Sequence, residues 1–458
     1  MINRLKPRGM PWVYLGLLLV LSFFGCTSRE DPSEVLLVCG NHTCGDLTMV
    51  TSDTSSDGWQ YLEPALSPDG TRLVFTADWG ALLREGEHLP DPIPVIRNLV
   101  IMPMREGTYP DVNLASQGAN TVRFQIRLFD QSGSNVVRNF NEFQKGSPLW
   151  YDDNSLICWI ETPKGNRIFR VAPLGGEEVP VELLYREPED ALPTGRFWQH
   201  LDPSLSPDRQ WIVFSRFGFA NIDSLHTYTK QQLWVLSMAS AGEGRTNQVF
   251  PITREVAQIG DPAWSPDGRR ICFYASMDMV NEPGVSGTEL YSVAFDTLGL
   301  AENGGVALDR DLKRLTFTRL DAGNPLNGVD NFSPKYTNDG QSIVFVSNRR
   351  APSITLHDRS IWRIPVDGRL DPEILFFSRE DDVDPFIPEG TDGVLILSSA
   401  MGFPTQMLDR LYQESLIRLA EENPDLSEPE IAILAAQERR ELEFFARVMS
   451  HIFVFSGW

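Results

Sequence analysis

DPAWSPDGRRICFYAS, residues 261–276, states the unit from which the chain is built: an acid and a proline, a Ser-Pro-Asp-Gly turn, then a short apolar run. The phrase returns as EPALSPDGTRLVF from Glu63 and DPSLSPDRQWIVF from Asp202. Looser copies are SPLWYDDNSLICW from Ser147, SPKYTNDGQSIVF from Ser333 and DPFIPEGTDGVLI from Asp384. Anchored on Pro64, Pro148, Pro203, Pro262, Pro334 and Pro385, the six copies align without a gap. Internal repetition sets architecture before any local motif does. Six copies predict six blades.

Nine to eleven residues after each proline lie Leu73-Val74-Phe75, Ile157-Cys158-Trp159, Ile212-Val213-Phe214, Ile271-Cys272-Phe273, Ile343-Val344-Phe345 and Val394-Leu395-Ile396. Continuous β-branched and aromatic runs suit strands covered on both faces. Stacked propeller blades supply that cover. The Pro-Asp-Gly step is hairpin chemistry, because Gly or Asn tolerates positive φ. ELYSVAFD from Glu289 and SIWRIPVDG from Ser360 read as third strands, and VFPIT and LKRLTF as fourth strands. The expected fold is therefore all-β, a six-bladed β-propeller of four-stranded blades with a C-terminal α-helical extension. Extra length between prolines is assigned to insertions at 80–120 and 217–231. The last copy turns helical after Ser399, so its outer strands are expected from the N-terminal segment 34–53, which reads as a hairpin. Closing the ring this way leaves no open sheet edge.

The repeats resemble those of TolB-like β-propellers, a WD-repeat-like family with the blade pattern D-x-x-x-SPDG-x-x-I-x-F, over residues 34–400. That resemblance implies a binding platform whose ligand is a protein or peptide of the bacterial envelope. TolB has an α/β domain ahead of its propeller, and this chain has almost none, so Tol–Pal membership is not implied. Similar propellers also precede the catalytic domain of prolyl-oligopeptidase-like enzymes, and fold alone does not settle function.

The ends differ from the repeats. Arg4, Lys6 and Arg8 precede a 13-residue apolar run, Trp12 to Phe24, too short for a spanning helix of about 20 residues. Residues 1–25 are read as an export signal and 26–33 as a linker. Phe24-Gly25-Cys26 resembles a lipobox, which implies a lipid on Cys26 and an envelope location; an uncleaved anchor or ordinary signal is the other reading. Cys158 and Cys272 occupy the same blade position and read as core thiols. Cys39 and Cys44 flank a short turn, where a disulfide competes with a metal site using His42. Residues 34–403 are assigned to the propeller and 404–458 to the helical extension, with a capping box at Ser427 to Glu430. Its apolar end, HIFVFSGW, either packs on the propeller's side or docks a partner.

A net charge of −22 offers no basic footprint for nucleic acid. No H-E-x-x-H, G-x-S-x-G, Walker or Rossmann pattern occurs in the chain. One constellation stands out. The residue before each anchoring proline is Glu63, Ser147, Asp202, Asp261, Ser333 or Asp384. If each begins an innermost strand, Glu63, Asp202, Asp261 and Asp384 surround one mouth of the channel and can hold a hard cation such as Ca²⁺. Otherwise each acid caps backbone groups in its own blade. The main functional expectation is a non-enzymatic, lipid-anchored protein-binding scaffold, reaching the membrane through its lipid alone. The alternative is a channel-site enzyme or small-ligand binder.

Overall fold

The computed structural model describes residues 46–49, 59–79, 96–104, 125–129, 135–139, 144–162, 165–172, 181–185, 198–221, 227–238, 248–276, 287–296, 308–317, 329–349, 359–367, 371–376, 382–391, 393–399, 405–424, 426–448 and 451–456. Strand β1 is Asp46–Met49. The first blade follows as β2 Trp59–Leu66, β3 Arg72–Trp79 and β4 Ile96–Pro103. A separate hairpin comes next, β5 Gln125–Phe129 with β6 Asn135–Asn139. The second blade is β7 Lys145–Asp152, β8 Ser155–Ile160, β9 Arg167–Val171 and β10 Val181–Leu183. The third is β11 Gln199–Leu205, β12 Trp211–Asn221, β13 Thr227–Ser237 and β14 Val249–Pro251.

The fourth blade is β15 Ile259–Trp264, β16 Arg270–Ser276, β17 Thr288–Ala294 and β18 Lys313–Arg314. The fifth is β19 Asn331–Tyr336, β20 Ser342–Ser347, β21 Ser360–Pro365 and β22 Glu373–Phe376. The sixth opens with β23 Asp382–Phe386 and β24 Val394–Ser399. Helices α1 Thr405–Glu422 and α2 Glu428–Val448 precede the last strand, β25 His451–Ser456. The strands form antiparallel sheets, and the six-bladed expectation holds.

Closure differs from the expectation. The sixth sheet runs β1-β25-β24-β23, so the C-terminal strand is its third member and the N-terminal strand its fourth. HIFVFS neither packs on the propeller's side nor projects as a docking arm. Ile452, Phe453 and Phe455 are fully buried, pairing with β24 on one side and β1 on the other. Alternation of apolar residues at a period of two favours a strand there, and the empty slot beside β24 supplies the partner. Residues 34–45 and Cys26, Cys39 and Cys44 lie outside the described residues. The two helices form a hairpin around their own small core of Leu419, Ile431 and Ala435. Ser427 and Glu430 make the expected cap, the Glu430 carboxylate accepting from the Ser427 backbone N–H at 2.8 Å. Among the described residues no helix is long and apolar enough to cross a membrane.

The two assigned insertions also prove to contain blade strands. Residues 96–103 are the third strand of the first blade, and residues 217–221 of β12 pair with residues 227–231 of β13, out to Asn221 and Thr227. The core lies between blades rather than within one. Tyr61 and Phe75 of the first blade pack on Ile396 and Ile452 of the sixth, and Val213 of the third packs on Phe273 of the fourth. Equivalent clusters fill the remaining junctions, so the ring is sealed by the runs identified in the sequence. Cys158 and Cys272 are fully buried within it, and burial pushes both thiols up to about 12, leaving them inert.

Each sharp turn is a small hydrogen-bonded cage. Ser67, Ser206, Ser265 and Thr337 each donate their hydroxyl to Oδ1 of the aspartate two residues on, at 2.6 Å in all four. The same Oδ1 accepts the backbone N–H two residues further, at 3.0, 3.0, 3.0 and 2.9 Å. These donors, the hydroxyl foremost, hold Asp69, Asp267 and Asp339 below the usual carboxylate range. Gly70, Gly268 and Gly340 take the positive φ that the turn requires; Arg209 takes it at 58° in the third blade, where a side chain makes it costly.

Candidate functional site

The first strand of each blade packs against the first strand of the next, from β2 through β7, β11, β15, β19 and β23 back to β2. These strands line the central channel. Each carries the anchoring proline at an irregular step: pairing skips from Leu62 to Ala65, Gly146 to Leu149, Leu201 to Ser204, Gly260 to Ala263, Phe332 to Lys335 and Val383 to Phe386. The prolines are buried, and the residues before them occupy the left-handed region. Their φ values are 55° at Glu63, 47° at Ser147, 50° at Asp202, 47° at Asp261, 47° at Ser333 and 53° at Asp384. Such backbone is unusual for residues with a side chain and persists only where its surroundings enforce it.

Those surroundings are the neighbouring blades. The bulge removes the N–H of each residue from its own ladder. Asp384 Oδ2 accepts the Glu63 N–H at 3.1 Å, and Glu63 Oε2 accepts the Ser147 N–H at 2.8 Å. Asp202 Oδ2 accepts the Asp261 N–H at 3.5 Å, and Asp261 Oδ2 accepts the Ser333 N–H at 2.9 Å. The Ser147 hydroxyl donates back to Glu63 Oε1 at 3.3 Å, and that of Ser333 to Asp261 Oδ2 at 2.9 Å. The belt is thus two arcs, Asp384–Glu63–Ser147 and Asp202–Asp261–Ser333, related by half a turn of the ring. Each arc ends at a serine whose hydroxyl points its proton backward.

Two details depart from the sequence reading. The six residues sit inside the strands, not at their starts, so they form a belt within the channel wall. The acids also bind the next blade's backbone, not their own, because the bulge aims each N–H across the blade junction. The metal expectation named Glu63, Asp202, Asp261 and Asp384. The structure spaces them one per blade, and among the described residues no three of His, Cys, Asp and Glu gather closely enough to hold a metal ion.

Burial first, and then the charge of Asp261, pushes the Asp202 carboxyl up to about 7. Burial and then Glu63 does the same at Asp384, also to about 7, against weaker opposing help from Arg97. Arg97 Nη1 stands 3.7 Å from Glu63 Oε1. Among the described residues, Oδ1 of Asp202, Asp261 and Asp384 accepts nothing, while Oδ2 of each is committed to the belt. None of these oxygens is among the fully enclosed polar atoms without a partner. The three acids are half-buried.

A second layer, unread in the sequence, backs the belt from the second strands. It consists of Thr76, Trp159, Ser215, Tyr274, Val346 and Ser398, each opposite the residue two before a proline. Trp159 donates to the Ser147 hydroxyl at 3.3 Å and fits because Gly146 lies beneath it: a Cβ there would sit 2.5 Å from the indole. Gly260 leaves the same room for Tyr274. Thr76 donates to Glu63 at 3.2 Å, and Ser215 to Asp202 at 2.9 Å. The signal lay in the residue closing each apolar run (Phe75-Thr76, Phe214-Ser215, Leu397-Ser398), whose alternation between hydroxyl and bulk marks a position facing something other than core.

No protein-family model and no curated protein matches the chain. Solved structures do. A puromycin-hydrolysing peptidase from Mycobacterium tuberculosis is 14% identical over 78% of this chain and 46% of its own, with a TM-score of 0.41. An oligogalacturonate lyase from Vibrio parahaemolyticus is 11% identical over 78% and 79%, with a TM-score of 0.41. The propeller domain of the Trilobed protease from Pyrococcus furiosus is 10% identical over 75% and 90%, with a TM-score of 0.38. The chain spans less than half the length of the first of these. Likeness at this level concerns fold. Against the expectations of a non-enzymatic scaffold and of a chain that is not an enzyme stands the finding that the similar propellers are those of a peptidase, a lyase and a protease.

Proposed function

We propose that the protein acts on a small cationic molecule held in the channel belt, with Asp202 and Asp384 as the groups that give and take protons. One observation carries this reading: three aspartates on channel-lining strands each spend one oxygen on the neighbouring blade and, among the described residues, leave the other without a partner. A fixed carboxylate with an open oxygen meets an ammonium or guanidinium group without reorganising. Carboxyl groups pushed up to about 7 exchange protons near neutral pH, which general acid–base work requires.

Spermidine is a suitable probe, titrated calorimetrically beside a neutral diol of similar length. The native protein is expected to bind the triamine and not the diol. Asp261→Asn keeps an acceptor for the Ser333 N–H but removes the charge, and is expected to weaken spermidine binding about tenfold, the worth of one charge-assisted bond. Equal affinity for amine and diol, or an unaffected Asp261→Asn, rejects the reading.

We further propose that the blades are of the TolB-like kind and that the protein is exported and held at the envelope membrane by a lipid on Cys26, a reading supported by the SPDG repeats and the lipobox-like Phe24-Gly25-Cys26. Cys26→Ser is expected to abolish incorporation of labelled fatty acid and to change the electrophoretic mobility of the mature chain. Unchanged labelling removes the anchor from consideration.

A further inference from the structure

We propose that Ser398 is a positioning residue for Asp384: when a cation enters the belt, the Ser398 hydroxyl turns to donate to the Asp384 carboxylate. The inference rests on the channel-site reading above and assigns one side of that site.

Three hydroxyls stand behind acids of the belt in the same register, Thr76 opposite Leu62, Ser215 opposite Leu201 and Ser398 opposite Val383. Thr76 donates to the Leu62 carbonyl at 3.1 Å and to Glu63 at 3.2 Å. Ser215 donates to the Leu201 carbonyl at 3.2 Å and to Asp202 at 2.9 Å. Ser398 occupies the corresponding register behind Asp384, is 0% exposed, and among the described residues its Oγ has no hydrogen-bond partner. A buried hydroxyl without a partner is costly, and folded proteins seldom retain one without a use.

As it stands, the Asp384 carboxyl accepts the Glu63 N–H and nothing from Ser398. A cation in the channel favours the ionised form; the carboxyl proton leaves to bulk water, and the carboxylate then offers more acceptor capacity than one N–H fills. Ser398 is the donor already in place. The charged groups acting on Asp384 are Glu63 and Arg97 of the first blade and Asp261 of the fourth. Asp202 differs, because Ser215 has already closed on it. The two arcs are alike in their belts and unlike in their backing, which makes the Asp384 arc the responsive one.

Spermidine affinity is measured from pH 5.5 to 8.5 for the native protein, Ser398→Ala and Ser398→Thr, with melting temperatures of the free proteins alongside. Ser398→Ala is expected to melt at or above the native temperature, because it deletes an unpaired hydroxyl, yet to bind spermidine about tenfold more weakly at pH 7. Its binding is also expected to need a higher pH, since ionised Asp384 has lost a donor. Ser398→Thr, the residue found at the equivalent position in the first blade, is expected to bind within about twofold of native. Native-like affinity and pH dependence in Ser398→Ala, or a Thr variant as weak as the Ala variant, overturns the assignment of Ser398 alone. Failure of the native protein to bind spermidine overturns the channel-site reading and this assignment together.

Discussion

Deleting residues 451–458 is expected to abolish the folded ring, and Phe453→Ala alone to cost about 3–5 kcal/mol, as large aromatic deletions in cores do. Phe453 is fully buried and packs with Leu395, Leu397 and Phe455 of its own blade and with Val344, Val346 and Phe376 of the fifth. Ile452 faces the other way, into the junction with the first blade. One strand therefore serves both junctions of the closing blade. Its loss also strips β24 and β1 of their shared partner, leaving two unpaired sheet edges that invite association. Removing three buried side chains forfeits on the order of 5–8 kcal/mol, comparable with the whole stability of an ordinary domain. The checks are thermal unfolding and size-exclusion chromatography. A truncated chain that remains monomeric and melts within a few degrees of native would show that the strand only decorates a ring closed by other means.

That closing strand also shows where the sequence stops being readable. The Pro-Asp-Gly phrase is local: Ser265, Asp267 and Arg270 bond one another across five residues, so the turn and its strand can be recognised in a single copy. Six such copies give the ring. HIFVFS carries the strand's alternation of burial but no turn, and what it pairs with lies more than fifty residues away at Val394 and more than four hundred away at Asp46. Nothing local announces a partner at that distance, and the two helices before it suggested that the whole segment was helical. The belt was half legible. The acid or serine before each proline could be picked out, because the repeat aligns them. Its left-handed backbone and the bond to the next blade could not, since both follow from a bulge that appears only when two strands are in register. The backing layer was less legible still. Trp159 and Tyr274 read as core aromatics until Gly146 and Gly260 are seen beneath them.

Between about pH 4 and 7 the protein is expected to become less stable as the solution becomes more alkaline, opposite to the usual contribution of an acid in a salt bridge. Asp202 and Asp384 have folded values of about 7 against an ordinary value of 3.8. In that window the folded state binds more protons than the unfolded state, so the unfolding free energy falls with rising pH. Their contribution is fully present below the ordinary value and gone above the folded one. Because both side chains retain contact with water, screening reduces the effect to about 1–2 kcal/mol for each. The turn aspartates 69, 267 and 339 work the other way. Their folded values lie below the ordinary one, so the stability they add is present above about pH 4 and is lost as acid protonates the cages. Asp202→Asn with Asp384→Asn keeps an amide oxygen for the Asp261 and Glu63 N–H groups while removing the titration. That pair is expected to flatten the decline between pH 5 and 7 and to melt above the native protein at pH 8. A double variant that retains the native slope would mean that the belt acids are ionised in the folded state, and their role as proton carriers in the channel would fall with it.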